Sequence, residues 1–331
     1  VVKVIVASAP GRCGIIGNPS DMYGGSVISI STCERATCRL ELSDRLMLSA
    51  EDESQAPRTQ EDLALRGDKL DIARATLTYF QIDPATARFT VSQSTEIAMQ
   101  SGMAGSTALI VSLVGALDRF FGWKMHPWAI AETARKIEYR VMKVLCGLQD
   151  QHMAVFGGLN FMDFARKERL EQRDDEPLAT VEPLHRYCPD VPLLAAHTGI
   201  KHHSGTVHKS PRERWLAGEK LVVETFETLG ALARLGKRAL LDRDWATLGA
   251  LMNENHRLVA NLGGSGPAND HLIETARKAG AWGAKLAGAG GGGTILVLTD
   301  KPDDIGRRLL DAGADRLFFP QPRAGLTVLE E

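Results

Sequence analysis

The 331-residue chain lacks most of the features that place a protein at a glance, and each lack removes a class. Its five cysteines (Cys13, Cys33, Cys38, Cys146, Cys188) are an odd number with no CxxC pair. That argues against a disulfide framework and points to free thiols in a reducing cytoplasm. No apolar run reaches the roughly 20 residues that a membrane-crossing helix needs, and no charged-then-apolar signal segment opens the chain. The first residue is Val, so a starting Met or a short leader is expected to precede it. The formal net charge is −2 and the pI is about 6.6, so there is no electrostatic footprint for nucleic acid or for an anionic membrane. Repeats and low-complexity segments are missing as well. A small polar metabolite is the partner left over, and with 44% hydrophobic positions the chain can bury the cores of two domains.

What is present is glycine, gathered in three places. The first is "PGRCGIIGNPSDMYGG", residues 10–25, between the strand-like "VVKVIVAS" and "SVISIS". Read alone it is a glycine-rich loop joining two strands, either a plain hairpin or a cradle where a ligand approaches the main chain. The second, "SGMAGSTA", stands between the strand-like "ARFTVSQSTEIAM" and an apolar helix. It would set the N–H groups of Gly102, Met103, Ala104, Gly105, Ser106 and Thr107 at a helix N-terminus, which suits a phosphate. Simple capping by Ser106 or Thr107 is the alternative. The third, "GAGGGG" at 288–293, matches G-x-G-x-x-G through Gly288, Gly290 and Gly293, but a helix is expected before it and a strand after it. A dinucleotide fingerprint needs strand, glycines, helix, so that reading fails. Nothing matches G-x-x-x-x-G-K-[ST], which excludes the ordinary P-loop.

Phosphoryl transfer to a hydroxyl needs a group to orient or deprotonate the acceptor, a divalent metal and a nearby cation. The chain offers Asp150 in "GLQDQ" for the first role. Glu138 in "RKIEYRV", with Ser106, suits magnesium, and Arg12 supplies the cation. Each has a bland alternative: a capping Asp, a surface helix Glu, a loop Arg.

In order and spacing, the three glycine stretches resemble the three motifs of the GHMP kinase superfamily, and the resemblance covers nearly the whole chain. It implies an α+β fold of two domains. The N-terminal one, residues 1–180, is of ribosomal-protein type; the C-terminal one, 181–331, has a ferredoxin-like core with added helices. It also implies ATP and magnesium as cofactors, with the triphosphate on Gly102 to Thr107 and on Gly288, Gly290 and Gly291. Asp150 falls on the family's catalytic aspartate, Arg12 on the arginine beside it, Ser106 and Glu138 on the magnesium positions. Asn18 and Asp21 fall where relatives contact sugar hydroxyls, and Tyr23 and Gly24 adjoin them. Within the superfamily, "GNPSD-YGG", "QSGMAGSTA" and "SGTVHKSPRERWLAGE" resemble glucuronokinases, which phosphorylate glucuronate at its anomeric hydroxyl. "QDQ…FGG" is shared with heptose-phosphate kinases. Two departures stand out: Ala104 where many relatives have Gly or Ser, and "RVMKVLCG" in place of a Gly-containing approach to the aspartate.

The segment "KHHSGTVHKSPRERW" concentrates Lys201, His202, His203, His208, Lys209, Arg212 and Arg214. A guanidinium there matches a substrate carboxylate bidentately, with Arg212 and Arg214 as first choices; a solvated helix start is the alternative. The expectation is thus a cytoplasmic sugar kinase, monomer or homodimer, that uses ATP and binds neither nucleic acid nor membrane. Alternatives are a kinase of a neutral sugar or heptose phosphate, and a catalytically silent sensor, against which the joint presence of Asp150, Ser106 and Glu138 speaks.

Overall fold

The computed structural model describes residues 4–167, 174–200, 210–288 and 293–331. Its first strand, β1 (Val4–Ile16), runs on through Pro10–Ile16, which the sequence reading assigned to a loop. The reason is pairing. β2 (Ser26–Leu42) lies antiparallel along its length, and register shifts between Pro10 and Arg12 and between Gly14 and Ile16 absorb the glycines as bulges. The strand-like "SVISIS" is the first part of β2, which runs on unbroken through "ATCRLEL". Only Gly17–Gly25 remains as loop, around a short 3₁₀ turn at Ser20–Tyr23.

β3 (Met47–Ala50) and β4 (Glu53–Gln55) follow, both too short to leave an apolar pattern. Next come α1 (Asp71–Tyr79), β5 (Phe89–Thr95) and α2 (Gly105–Phe121). α2 is buried on every side from Thr107 to Leu117, as its unbroken run of apolar and small residues dictates. α3 (Pro127–Lys136) passes into a π-helical turn at Ile137–Val141, and α4 (Gln149–Phe156) leads into β6 (Leu159–Asp163). β7 (Thr180–Pro183) pairs with β6. The larger sheet has the order β12-β1-β2-β5-β3-β4, with β6 on β2 beside β5.

The smaller sheet is built from β8 (Leu193–His197), β9 (Gly283–Leu286), β10 (Thr294–Leu298) and β11 (Arg316–Phe318) in the antiparallel order β11-β8-β10-β9. Between β8 and β9 stand α5 (Pro211–Leu216), α6 (Lys220–Leu241), α7 (Trp245–Asn261) and α8 (Pro267–Lys278), and α9 (Pro302–Asp311) precedes β11. This is the β-α-β-β-α-β order of a ferredoxin-like core, with α5 to α7 added. Leu194, Ala196, Leu272, Ile273, Ile305 and Leu309 pack α8 and α9 onto it. β9 was missed: it stands between α8 and the glycines, so the third glycine stretch joins two strands. A strand still follows it, and the dinucleotide reading still fails.

β12 (Thr327–Glu330) returns to pair with β1, so a cut of the chain at residue 180 does not separate the two sheets. One apolar cluster, from Ala9 and Ile28 through Val111 to Leu232, Leu286 and Phe318, spans both halves. No helix among the described residues is long and apolar enough to cross a membrane.

Candidate active site

The start of α4 is tied down residue by residue. Asp21, from the first loop, accepts from the backbone N–H of Leu148 (2.7 Å) and of Gln149 (3.1 Å) and so caps the helix. The Gln149 side chain donates to Asp21 (3.2 Å), and its Oε1 accepts from Ser29 on β2 (3.0 Å). Asp150 follows, and Arg12 grips its Oδ1 with Nε at 2.8 Å and Nη2 at 2.7 Å. Oδ2 takes part in none of the described hydrogen bonds, and the Asp150 side chain is 28% exposed. Gln151 then donates to Glu138. The three side chains of "QDQ" thus lock α4 to three different elements and leave one carboxylate oxygen open at the surface.

Arg12 is nearly buried at 5% exposure, and its placement follows from the bulge in β1. Its Nη1 donates to the carbonyls of Gly102 and of Ala287 (3.5 Å), one at the second glycine stretch and one at the third. Its own N–H donates to Met103 O (3.1 Å). The three glycine stretches therefore meet at one arginine. A Cβ on Gly288 would stand 2.8 Å from Gly102 O, so only glycine allows the second and third loops to touch.

α2 begins at Gly105, and its N-cap residue is Ala104, in the left-handed region at φ 63°. Alanine there bears a strain that glycine would not, which gives the departure at Ala104 a physical meaning. Ala104 has no side chain to cap the helix, and Ser106 and Thr107 fall inside the first turn, so simple capping by either is not what the structure has. The first-turn N–H groups open beside Gly102 and Gly288, an arrangement that favours anions. Met103 is buried and serves the core, while Gly102 is exposed.

Thr107 Oγ1 donates to Glu138 Oε1 at 2.7 Å. Burial pushes the Glu138 carboxyl up to about 7, against hydrogen bonds from Thr107, Gln151 and Cys146 and with some help from the Asp150 charge. Among the described residues, the donors that hydrogen-bond this buried carboxylate are all neutral. Ser106 Oγ precedes Thr107 on the helix, and Gln151 Oε1 is buried without a hydrogen-bond partner. These are hard oxygen donors, so the set fits magnesium. No group of three His, Cys, Asp or Glu among the described residues could hold a metal alone.

Asn18 and Asp21, expected to face sugar hydroxyls, have their side chains engaged within the protein. Asn18 is 1% exposed; its Nδ2 donates to Gly288 O (3.1 Å) and its Oδ1 accepts from Lys285 (2.7 Å). Burial and the Asp150 charge raise the Asp21 carboxyl, while the two N–H groups it caps act against them. Tyr23 stacks on Phe226 at 3.8 Å between centroids and leans on Trp215, and Gly24 closes the 3₁₀ turn at φ 74°. Arg212 lies close enough to Tyr23 to lower a phenol that burial has raised to about 12. Arg214, the other candidate for a substrate carboxylate, forks onto Glu219 at 2.6 and 2.9 Å. Lys201, His202, His203, His208, Lys209, Gly290 and Gly291 lie outside the described residues.

Two residues at the centre escaped the sequence reading. Asn255, on α7, accepts from Gly17 N (2.7 Å) and donates to Asn18 O (3.2 Å); one Asn on a long helix carries no signal. Lys285 did carry one, since a lysine inside "GAKLAGAG" sits in a strand of otherwise small and apolar residues.

Residues 70–158 match the GHMP kinases N terminal domain, and residues 237–315 match GHMP kinases C terminal. "Probable glucuronokinase 2" of Arabidopsis thaliana is 30% identical over 320 residues, covering 89% of this chain and 84% of that protein. This chain belongs to the GHMP kinase family. "Glucuronokinase 1" of the same plant is 28% identical over 323 residues, covering 89% of this chain and 85% of its own length. Galactokinase of Lactococcus lactis, solved with galactose, superposes with a TM-score of 0.79 at 18% identity, covering 98% of this chain and 95% of that one, which shows the two-domain fold of a GHMP kinase. The chain is thus a kinase of a family that uses ATP.

Proposed function

We propose that this GHMP kinase phosphorylates a sugar from ATP, with glucuronate as acceptor and its anomeric hydroxyl as the site of transfer. The observation that carries the chemistry is the Arg12–Asp150 pair, set where the uncapped end of α2 and the third glycine loop meet. The acceptor hydroxyl would lie against Asp150 Oδ2, which takes its proton as the oxygen attacks the γ-phosphorus; the bond to the β-phosphate oxygen breaks, and ADP leaves. Arg12 keeps Asp150 oriented and answers charge that develops on the phosphoryl group. The N–H groups from Gly105 to Thr107 and the loop opening at Gly288 receive the phosphates. Ser106 and Glu138 would hold magnesium, which draws charge from the phosphate oxygens when bound.

The glucuronate reading rests on the two plant glucuronokinases and on the need to pair a uronate carboxylate, for which the Arg212 guanidinium near Tyr23 is the candidate cation. A neutral sugar is the second reading, favoured by the fold shared with a galactokinase. ADP release with glucuronate, galacturonate, galactose, a heptose phosphate and mevalonate decides between them. Glucuronate should give the highest kcat/KM, and a preference for galactose or the heptose phosphate would replace it.

A further inference from the structure

Lys285 stands in the middle of β9, 1% exposed. Its Nζ donates to Gly14 O (3.0 Å), Asn18 Oδ1 (2.7 Å) and Leu286 O (2.5 Å), all neutral oxygens. The titratable groups that face it are Arg12 and Cys13 on β1 and His256 on α7, with Asp270 and Arg277 of α8 behind His256. None of the described ion pairs includes Lys285. His256 brings no opposite charge either, because burial and the nearby Arg277 push it down to about 4 and leave it neutral at pH 7. Asn18, Asn255, His256, Val259, Leu286 and Gly288 close around the lysine and leave a gap too tight for a water molecule. Among its bonds, the one to Asn18 matters most, since Asn18 also holds Gly288 O, and Ala287 O receives Gly14 N (2.9 Å) as well as Arg12.

A buried ammonium with only neutral acceptors is costly, and an anion brought close offsets that cost. The loop that opens at Gly288 is where this account puts the triphosphate. We infer that Lys285 is a positioning residue of the nucleotide site: it clasps the first loop to the third glycine loop, and its charge is answered by the bound triphosphate. The inference rests on the nucleotide reading above and deepens it.

A consequence follows for protons. Burial, and then the Arg12 charge, push the Lys285 ammonium down to about 7, with Cys13 acting the other way. Above that pH the free protein carries it mostly neutral. A polyanion at Gly288 favours the charged form, so nucleotide binding takes up a proton. The uptake is largest above about pH 7 and fades below it, and affinity falls by up to about tenfold per pH unit as pH rises. Glu138 does not mask this at about pH 8, where it is already ionised, as are the nucleotide's own phosphates.

The test is calorimetric titration of the full chain with a non-hydrolysable ATP analogue and magnesium at about pH 8, in two buffers of different ionisation enthalpy. The wild type should take up on the order of one proton. Lys285→Met should bind roughly 10- to 100-fold more weakly with the uptake gone. Binding by the wild type without proton uptake overturns the inference and leaves the nucleotide reading intact, and so does a Lys285→Met that keeps both. No binding in either buffer overturns both. The wild-type measurement needs no variant, so it decides even where Lys285→Met fails to fold.

Discussion

The glycine-lined centre and the rim at α5 are built on opposite terms. At the centre Arg12, Asn18, Asp21, Asn255 and Lys285 are buried, and each holds two or more partners from distant parts of the chain. At the rim Arg214 is bound to Glu219, five residues away, and α5 is a six-residue helix held by its own Ser210–Glu213 capping box. A side chain locked from several directions has one task, and substituting it disturbs everything it holds. A rim side chain is replaceable without disturbing the fold. Under the proposed function, phosphoryl transfer would sit in the locked centre and the choice of acceptor would fall to residues such as Arg212 at the edge.

The largest expected effect lies at the centre. Asp150→Asn should lower kcat by at least about 100-fold and leave nucleotide affinity nearly unchanged, because the open oxygen acts on the transferring proton. Rapid assays of ADP release beside equilibrium nucleotide binding check this, and near-normal turnover would remove Asp150 from the mechanism. At the rim, under the glucuronate reading, Arg212→Met should raise KM for glucuronate over that for glucose by about 1.5–3 kcal/mol. Arg214→Met should change both sugars little and cost less than about 1 kcal/mol of stability, as an exposed pair does. Equal effects of the two arginines would erase the distinction drawn at the rim.

Asp21→Ala sharpens the comparison from inside. Losing the cap on α4 should lower stability by about 2 kcal/mol in denaturant unfolding and lower kcat with it. Unchanged stability with a raised sugar KM would make Asp21 a sugar contact in the first place. A smaller effect concerns pH. If Glu138 holds magnesium as proposed, the ion needs its carboxylate ionised, and burial holds that carboxyl near 7, so apparent magnesium affinity should rise about tenfold per unit up to about pH 7 and then level off. ADP release titrated with magnesium at pH 6 and pH 8 reads this directly, and equal affinities would take Glu138 away from the metal.

The centre was legible in sequence where its demands fall on backbone. Gly288 has to be glycine because two loops touch and Gly102 is favoured by its positive φ of 76°, and such needs leave clusters that the eye finds. Arg12 stood inside one of those clusters, whereas Asp150 and Glu138 were found as polar residues between them and matched to the family's pattern. What stayed hidden were partners supplied from afar: Asn255 on α7 and Lys285 on β9 reach the first loop only after folding. The first loop was drawn too long because bulges let glycines sit within a paired strand, and β3, β4 and β11 were too short to show alternation. At the rim, two arginines two residues apart looked equivalent, and only the fold assigns one of them to Glu219.

The most direct test of the account is a structure of the protein with a non-hydrolysable ATP analogue and magnesium. The account predicts the triphosphate along Gly102–Thr107 at the N-terminus of α2, facing the loop that opens at Gly288, with the γ-phosphate toward Asp150. A triphosphate bound at any other loop, or one turned away from Asp150, would contradict it.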